Sequence, residues 1–347
     1  MDSTKTVITK ETKNKISVDY EGKLSFKERL MKKLTTSNTW ITVIINIFRF
    51  ILMLGVSYVI LFPFFSKIAG SFMDKYDVID ATVSLIPKNP TFEQYKYIVL
   101  DNRYFEAFLN TLLLSIICAL IQTFVACLIG YGLAKFKFKG NKLVMLIVVV
   151  TMIIPHSTLD LSMLKHFENF DIGNIMSFGN KGILTSIFGK ISTLNTFWPF
   201  VILSLGGLAF KNGLYIYMMR QFFKGVPDEL EESAYVDGSG TFRTFMQIIL
   251  PLSVPMMITI FLFAFSWQWT DQFYTELFFI GSSAPRMMPD IISQIPVHLQ
   301  TNYAGKRLYE NVIQNTAGIM IIFPLVIMYL FCQRYLVQGI ERSGLVG

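Results

Sequence analysis

Carboxylates crowd the stretch VPDELEESAYVDGSGTFRTFMQIILP, residues 226 to 251, between two long apolar runs. Pro227 suits a first helical position, and Asp228, Glu229, Glu231 and Glu232 place negative charge where a helix dipole favours it. Asp237-Gly238 then stops the helix, because Gly takes positive φ without steric cost, and a second helix is predicted from about Phe242 until Pro251 interrupts it. A second group, in FSWQWTDQFYTELFF, sets Trp267, Thr270, Asp271 and Tyr274 at i, i+3, i+4 and i+7, one face of a helix. Aromatic faces stack on the apolar side of a polyhydroxylated ring, a carboxylate accepts hydrogen bonds from its hydroxyls, and an acidic side chain inside a bilayer points to function by default. The same residues also fit an aromatic belt at the outer interface, with Asp271 and Glu276 reaching water.

Other chemistries find no support in the residue pattern. No Gly-x-x-x-x-Gly-Lys-Ser/Thr loop is present to cradle nucleotide phosphates, and the carboxylates form no acid/base or nucleophile set. His156, His166 and His298 lie scattered, and Cys118, Cys127 and Cys332 all fall in apolar segments, so neither a metal site nor a disulfide framework is expected.

The elements that position these groups are membrane spans. Hydrophobic residues make up 52% of the chain and charged ones 16%, against about a quarter charged in ordinary globular proteins; mean hydropathy is +0.48. The net charge of +7 is laid beside the spans, not in a patch interleaved with aromatics, which argues for topology and against nucleic acid. Lys5 through Lys33 in the N-terminal tail, and Lys135, Lys137, Lys139 and Lys142 in the second connection, place both on the cytoplasmic side. The first apolar run follows a tail too long and polar for a cleavable signal peptide.

The expected order is a basic cytoplasmic tail over 1–39, a first transmembrane helix within 40–71 and an external loop over 72–106. A membrane domain over 107–336 follows, then a cytoplasmic C-terminal tail over 337–347. Six spans are predicted, at about 48–68, 107–134, 143–164, 197–219, 254–280 and 314–332, with Pro63 kinking the first and Arg49 snorkelling to the inner interface. Residues 165–195 contain no apolar run of about 18 residues and read as an outer insertion with a short amphipathic helix.

The intervals Glu232-Ser233-Ala234, Asp237-Gly238, Ile248 and Leu250-Pro251 resemble the EAA loop of importer-type ABC permeases, with Ser233 in place of the usual Ala. Asn89-Pro90-Thr91, Leu194-Asn195-Thr196 and the tail Gln333-Arg334-Tyr335 resemble the carbohydrate, maltose-transporter-like branch, although the chain ends in Ser343-Gly344-Leu345-Val346-Gly347 where that branch has Gly-Ala-Val-Lys-Gly. The resemblance implies an all-α membrane protein with the six-helix type I importer permease fold and a cytoplasmic coupling helix. It implies a bacterial plasma-membrane subunit that is no enzyme and binds no cofactor of its own, ATP being held by a partner. The implied partners are a second permease subunit, with a heterodimer expected, two ATPase subunits, an extracellular solute-binding protein and a carbohydrate substrate. Glu229, Glu232, Ser233, Ala234, Asp237, Gly238, Leu250 and Pro251 would couple the chain to the ATPase. Trp267, Thr270, Asp271 and Tyr274 would line the substrate pathway. The EAA pattern reports coupling, not cargo, so a peptide, amino acid or ion remains a rival cargo; a secondary transporter would instead carry inverted repeats or paired broken helices, and the sequence shows a sign of neither.

Overall fold

The computed structural model describes residues 7–11, 17–21, 37–171, 191–295 and 305–344. The amphipathic helix expected within the insertion, and most of the N-terminal tail, lie outside them. The chain divides into two compact units, Met1–Ser66 and Lys67–Gly347. The first contains the one two-stranded sheet among the described residues: β1 (Val7–Glu11) pairs antiparallel with β2 (Ser17–Glu21), Val7 opposite Glu21 and Glu11 opposite Ser17. Helix α1 (Ser37–Gly70) begins in that unit and continues through Pro63.

The expected external loop is folded. Phe72, Phe92 and Tyr95 pack their rings together, and the Asn89-Pro90-Thr91 segment is pinned on both sides. The buried carboxylate of Asp77 accepts from the backbone N–H (2.8 Å) and side-chain amide (3.0 Å) of Asn89. Thr91 donates its N–H to Phe72 O and accepts from Glu93 N–H, which starts α2 (Glu93–Leu100). The motif used above as a family marker is thus a helix-starting turn.

Helix α3 (Tyr104–Lys135) is the axis of the second unit. Its inner positions carry small side chains, Cys118, Ala119, Ala126 and Cys127 all being 0% exposed, so neighbouring helices approach closely. A Cβ added at Gly130 would lie 2.6 Å from Met219 Cβ and 2.9 Å from Arg220 N. Some buried hydroxyls bond back to their own helices, as Thr316 Oγ1 does to Val312 O (2.8 Å), which satisfies them where no water is available.

Two of the six expected spans are broken. The third is α4 (Asn141–Ile153), a 3₁₀ turn (His156–Leu159) and α5 (Asp160–Glu168), bent by 96°. Pro155 has no N–H and forces Ile154 to extended backbone (ψ 119°), which ends α4. The fourth is α6 (Trp198–Leu205) and α7 (Asn212–Lys224). Gly207 at φ 70° closes α6, with Gly207 N–H donating to Ser204 O and Leu208 N–H to Leu203 O, and Lys211 at φ 66° opens α7.

Helices α8 (Glu229–Val236) and α9 (Thr241–Thr244) lead through a π turn (Phe245–Ile249) into α10 (Leu250–Trp269). Pro251 was expected to interrupt this helix. Instead Leu250 N–H reaches five residues back to Phe245 O, and the wider turn gives the proline ring room without a break. The fifth span ends at Trp269, earlier than expected, and α11 (Phe273–Phe278) is a separate short helix. After α12 (Met288–Ser293), helix α13 (Lys306–Gly344) runs through Pro324 and takes in residues expected as outer loop and as C-terminal tail. Among the described residues four helices are long and apolar enough to cross a membrane, five if the bent pair is one crossing.

The Asn110-Thr111 pair and Asn195 hold the loop between α11 and α12. Asn110 Nδ2 donates to Arg286 O (3.0 Å) and Thr111 Oγ1 accepts from Met288 N–H (2.9 Å). Asn195, at φ 60°, accepts from Ile280 N–H (2.6 Å) and donates to Ile280 O (2.9 Å). Asn195→Ala removes both bonds and places an alanine at positive φ, so it is expected to cost about 2–3 kcal/mol. Thermal unfolding in detergent reads this, and Asn195→Gly, which keeps the backbone conformation, should fall between the wild type and the alanine variant.

Candidate functional site

The acidic loop is a helix held by one side and open on the other. Its C-terminus is closed by Gly238 at φ 81°: Gly238 N–H donates to Tyr235 O (3.0 Å) and Ser239 N–H to Ala234 O (2.9 Å). Helix α3 grips its N-terminal half at two points. Lys135, with a side chain 7% exposed, donates from Nζ to Val226 O and to Asp228 Oδ1, both at 2.6 Å. The Lys135 hydrogen bond is the largest influence holding the Asp228 carboxyl below the ordinary carboxylate range. Tyr131 donates its hydroxyl to Glu231 Oε1 (2.8 Å), and its ring packs against Phe223 and Phe245.

The loop residues singled out from the sequence therefore divide. Ala234 is buried against the protein, whereas Glu229, Glu232, Ser233, Asp237 and Gly238 are exposed, next to Val236 (88% exposed) and Phe242 (75%). Leu250 and Pro251 begin α10 just past the π turn. Glu231, read from the sequence only as a charge favoured by the helix dipole, turns inward to Tyr131. Lys135 was read only as a topological charge, and its burial under Asp228 depends on a helix end 93 residues away in sequence.

The second group does not share one helical face, because the helix stops between its members. Thr270 Oγ1 caps back onto Ser266 O (2.9 Å), and Asp271 Oδ1 accepts from the N–H of Tyr274 at the start of α11. Trp267 and Tyr274 still meet, through a residue the sequence reading missed: Phe210 lies 5.3 Å from the Trp267 ring and 6.3 Å from Tyr274. His156, also missed as a member of this group, packs on Phe210 (4.9 Å) and shares a 2.5 Å hydrogen bond between its Nδ1 and the Tyr274 hydroxyl. Lys211 places its ammonium over Phe210 (4.9 Å) and Trp267 (5.1 Å). Beside these rings a cavity of about 870 Å³ opens between the two broken spans. The chain breaks at Pro155 and Gly207 are what bring His156 and Phe210 to it, so break signals inside apolar runs carried the information. No cluster of three or more metal-ligating side chains occurs among the described residues.

This architecture, apolar helices around α3 and a polar helix-turn-helix fixed to its end, defines a membrane permease subunit. Residues 122–342 match the family described as binding-protein-dependent transport system inner membrane component, and the chain belongs to that family. It is 25% identical over 305 residues to the galactooligosaccharides transport system permease protein GanQ of Bacillus subtilis (strain 168), covering 87% of this chain and 95% of that one. It is 24% identical over 308 residues to the polygalacturonan/rhamnogalacturonan transport system permease protein YtcP of the same organism, covering 87% and 97%. Its fold matches a chain of a bacterial ABC transporter that imports the acidic polysaccharide alginate, with a TM-score of 0.64 at 20% identity over 86% of this chain and 98% of that one.

Proposed function

We propose that this chain is one membrane-spanning half of an ATP-driven carbohydrate importer. It works with a second, different permease subunit, two ATPase subunits and an external solute-binding protein, and the ATPase subunits hold the nucleotide. The observation that carries the reading is the 226–251 loop, in which α8 is fastened to α3 on one side while Glu229, Glu232, Ser233, Asp237 and Gly238 face outward. A short rigid helix so mounted can be pushed as a unit by a partner, and the exposed Val236 and Phe242 beside it offer the apolar area that docking requires. Ala234 lets α8 lie close to its support, and Leu250-Pro251 passes the displacement into α10. Taking the bent pair 141–168 and the broken pair 198–224 as one crossing each gives six spans, with both termini and the acidic loop on the cytoplasmic side. The oligosaccharide and polysaccharide relatives support a sugar as cargo, and Trp267 and Tyr274 on their shared aromatic cluster supply stacking faces for it. Thr270 and Asp271 stand at the break between these two residues, where their polar groups serve a hydroxylated solute.

Affinity purification from native membrane tests the assembly. The intact chain is expected to bring down an ATPase, a second permease and a solute-binding protein, while Glu232→Lys and Gly238→Pro lose the ATPase and keep the second permease. Recovery of the chain alone, still moving solute without ATP, would contradict the proposal.

A further inference from the structure

The cavity between the broken spans carries polar groups that the coupling role leaves unused. Asn212, 0% exposed, has no hydrogen-bond partner for either side-chain amide atom among the described residues, and it lines the cavity. Leaving such an amide unpaired in an apolar interior costs about 1–3 kcal/mol, so its position is explained by something that fills the space beside it. Lys211 lines the same wall, and its ammonium rests on the faces of Phe210 and Trp267 with no carboxylate bound to it among the described residues. Lys211 and Asn212 stand at the N-terminus of α7, a 13-residue helix whose dipole adds positive potential there. His156 and His166 are on the lining, and no Asp or Glu is among the described lining residues. Asp271 turns one oxygen to the backbone of Tyr274 and stands off the wall, as Asp160 does, and each keeps one buried oxygen without a partner among the described residues.

We propose that this cavity is a subsite for a saccharide bearing a carboxylate, a uronic acid unit, with Lys211 pairing the carboxylate and Asn212 exchanging hydrogen bonds with ring hydroxyls. A neutral sugar site is ordinarily furnished with carboxylates that accept from hydroxyls; this wall offers a cation, an orphaned amide and aromatic faces in their place. Phe210 and Tyr274 give a sugar ring its apolar contact, and the space is of the size that small-ligand sites occupy, roughly 300–1,000 Å³. On its side away from the two rings the exposed Lys211 ammonium is open to a carboxylate, which makes a stronger, charge-assisted partner than a neutral hydroxyl does. The inference rests on the carbohydrate reading above and narrows it.

The test is binding and uptake of trigalacturonate against galactotriose, its neutral counterpart, by the full chain with its co-purified partners in lipid nanodiscs and proteoliposomes. Isothermal titration calorimetry reads the binding. Trigalacturonate is expected to bind about tenfold more tightly than galactotriose. Lys211→Met should erase that ratio while Lys211→Arg keeps it, and Asn212→Leu should weaken both ligands. Equal binding, preference for galactotriose, or a preference for trigalacturonate that survives Lys211→Met would overturn the subsite. A folding failure of Lys211→Met would show as loss of galactotriose binding too, and the arginine variant together with the ratio in the unaltered chain then decides. Binding and uptake of neither saccharide, with ATP-driven transport of another solute intact, would overturn the sugar reading along with the subsite. Trigalacturonate preference with uptake that ignores ATP would sustain the subsite and contradict only the coupling role.

Discussion

A Tyr131→Phe, Lys135→Met double variant is expected to retain its ATPase partner and hydrolyse ATP, yet to move solute at a small fraction of the normal rate. The physical reason is where α8 is fastened. Tyr131 supplies the hydrogen bond to the buried Glu231 carboxylate, and Lys135 supplies the bonds to Val226 O and Asp228. Removing the Tyr131 hydroxyl leaves Glu231 buried without that donor, at a cost of about 2 kcal/mol. That shifts the balance between a seated and a detached helix about thirtyfold toward detachment. The outward residues Glu229 and Glu232 are untouched, so docking survives while its displacement no longer reaches α3. The ratio of ATP hydrolysed to solute transported in proteoliposomes is the readout, and an unchanged ratio would place the transmission elsewhere. Acid should not mimic the effect near neutrality. The Asp228 carboxyl is depressed by Lys135, so its tie is present above the ordinary carboxylate value of about 3.9 and is lost only as pH falls through the lower folded value. Coupling is therefore expected to hold through the Asp228 contact across pH 5–8.

Gly130→Ala and Gly132→Ala, two positions apart on the same helix, are expected to move stability in opposite directions. At Gly130 the added methyl would sit 2.6 Å from Met219 Cβ and 2.9 Å from the backbone nitrogen of Arg220. Backbone cannot swing aside as a side-chain tip can, so α3 and α7 must separate, at a cost of about 3 kcal/mol. At Gly132 a Cβ meets nothing within 4 Å, and alanine gains up to about 1 kcal/mol in a helix interior. Thermal unfolding of the purified chain should place the first variant several degrees below the wild type and the second at or above it. Matching melting points for the two variants would mean that α3 and α7 are not packed as described.

These two helices illustrate what could be read in advance. Spans whose apolar run is uninterrupted, such as α3 and α13, were legible because hydropathy over about 20 residues is set by the bilayer itself. The breaks in the third and fourth spans were not, since Pro155 and Gly206-Gly207 sit inside runs that average to apolar, and hydropathy says nothing about backbone direction. Proline and glycine were the available signals, and both lie at the observed breaks. The end of α10 at Trp269 carries neither residue, and the regular spacing of Trp267, Thr270, Asp271 and Tyr274 pointed to a continuous helix that the chain does not form. The acidic loop was legible because helix start, helix stop and interval are all local. Its attachments to Tyr131 and Lys135 were not, because each is a contact between residues about 90 to 100 apart, and no local rule states which lysine of a basic turn becomes buried.

The central claim, an ATP-driven carbohydrate permease coupled through residues 226–251, is tested most directly by uptake of labelled galactooligosaccharide and trigalacturonate into proteoliposomes. These would hold the assembled complex, with ATP on the ATPase side and the solute-binding protein outside. Accumulation that requires ATP and is lost in Glu232→Lys is the expected result. Equal accumulation without ATP, or full ATP-driven uptake by Glu232→Lys, would contradict it.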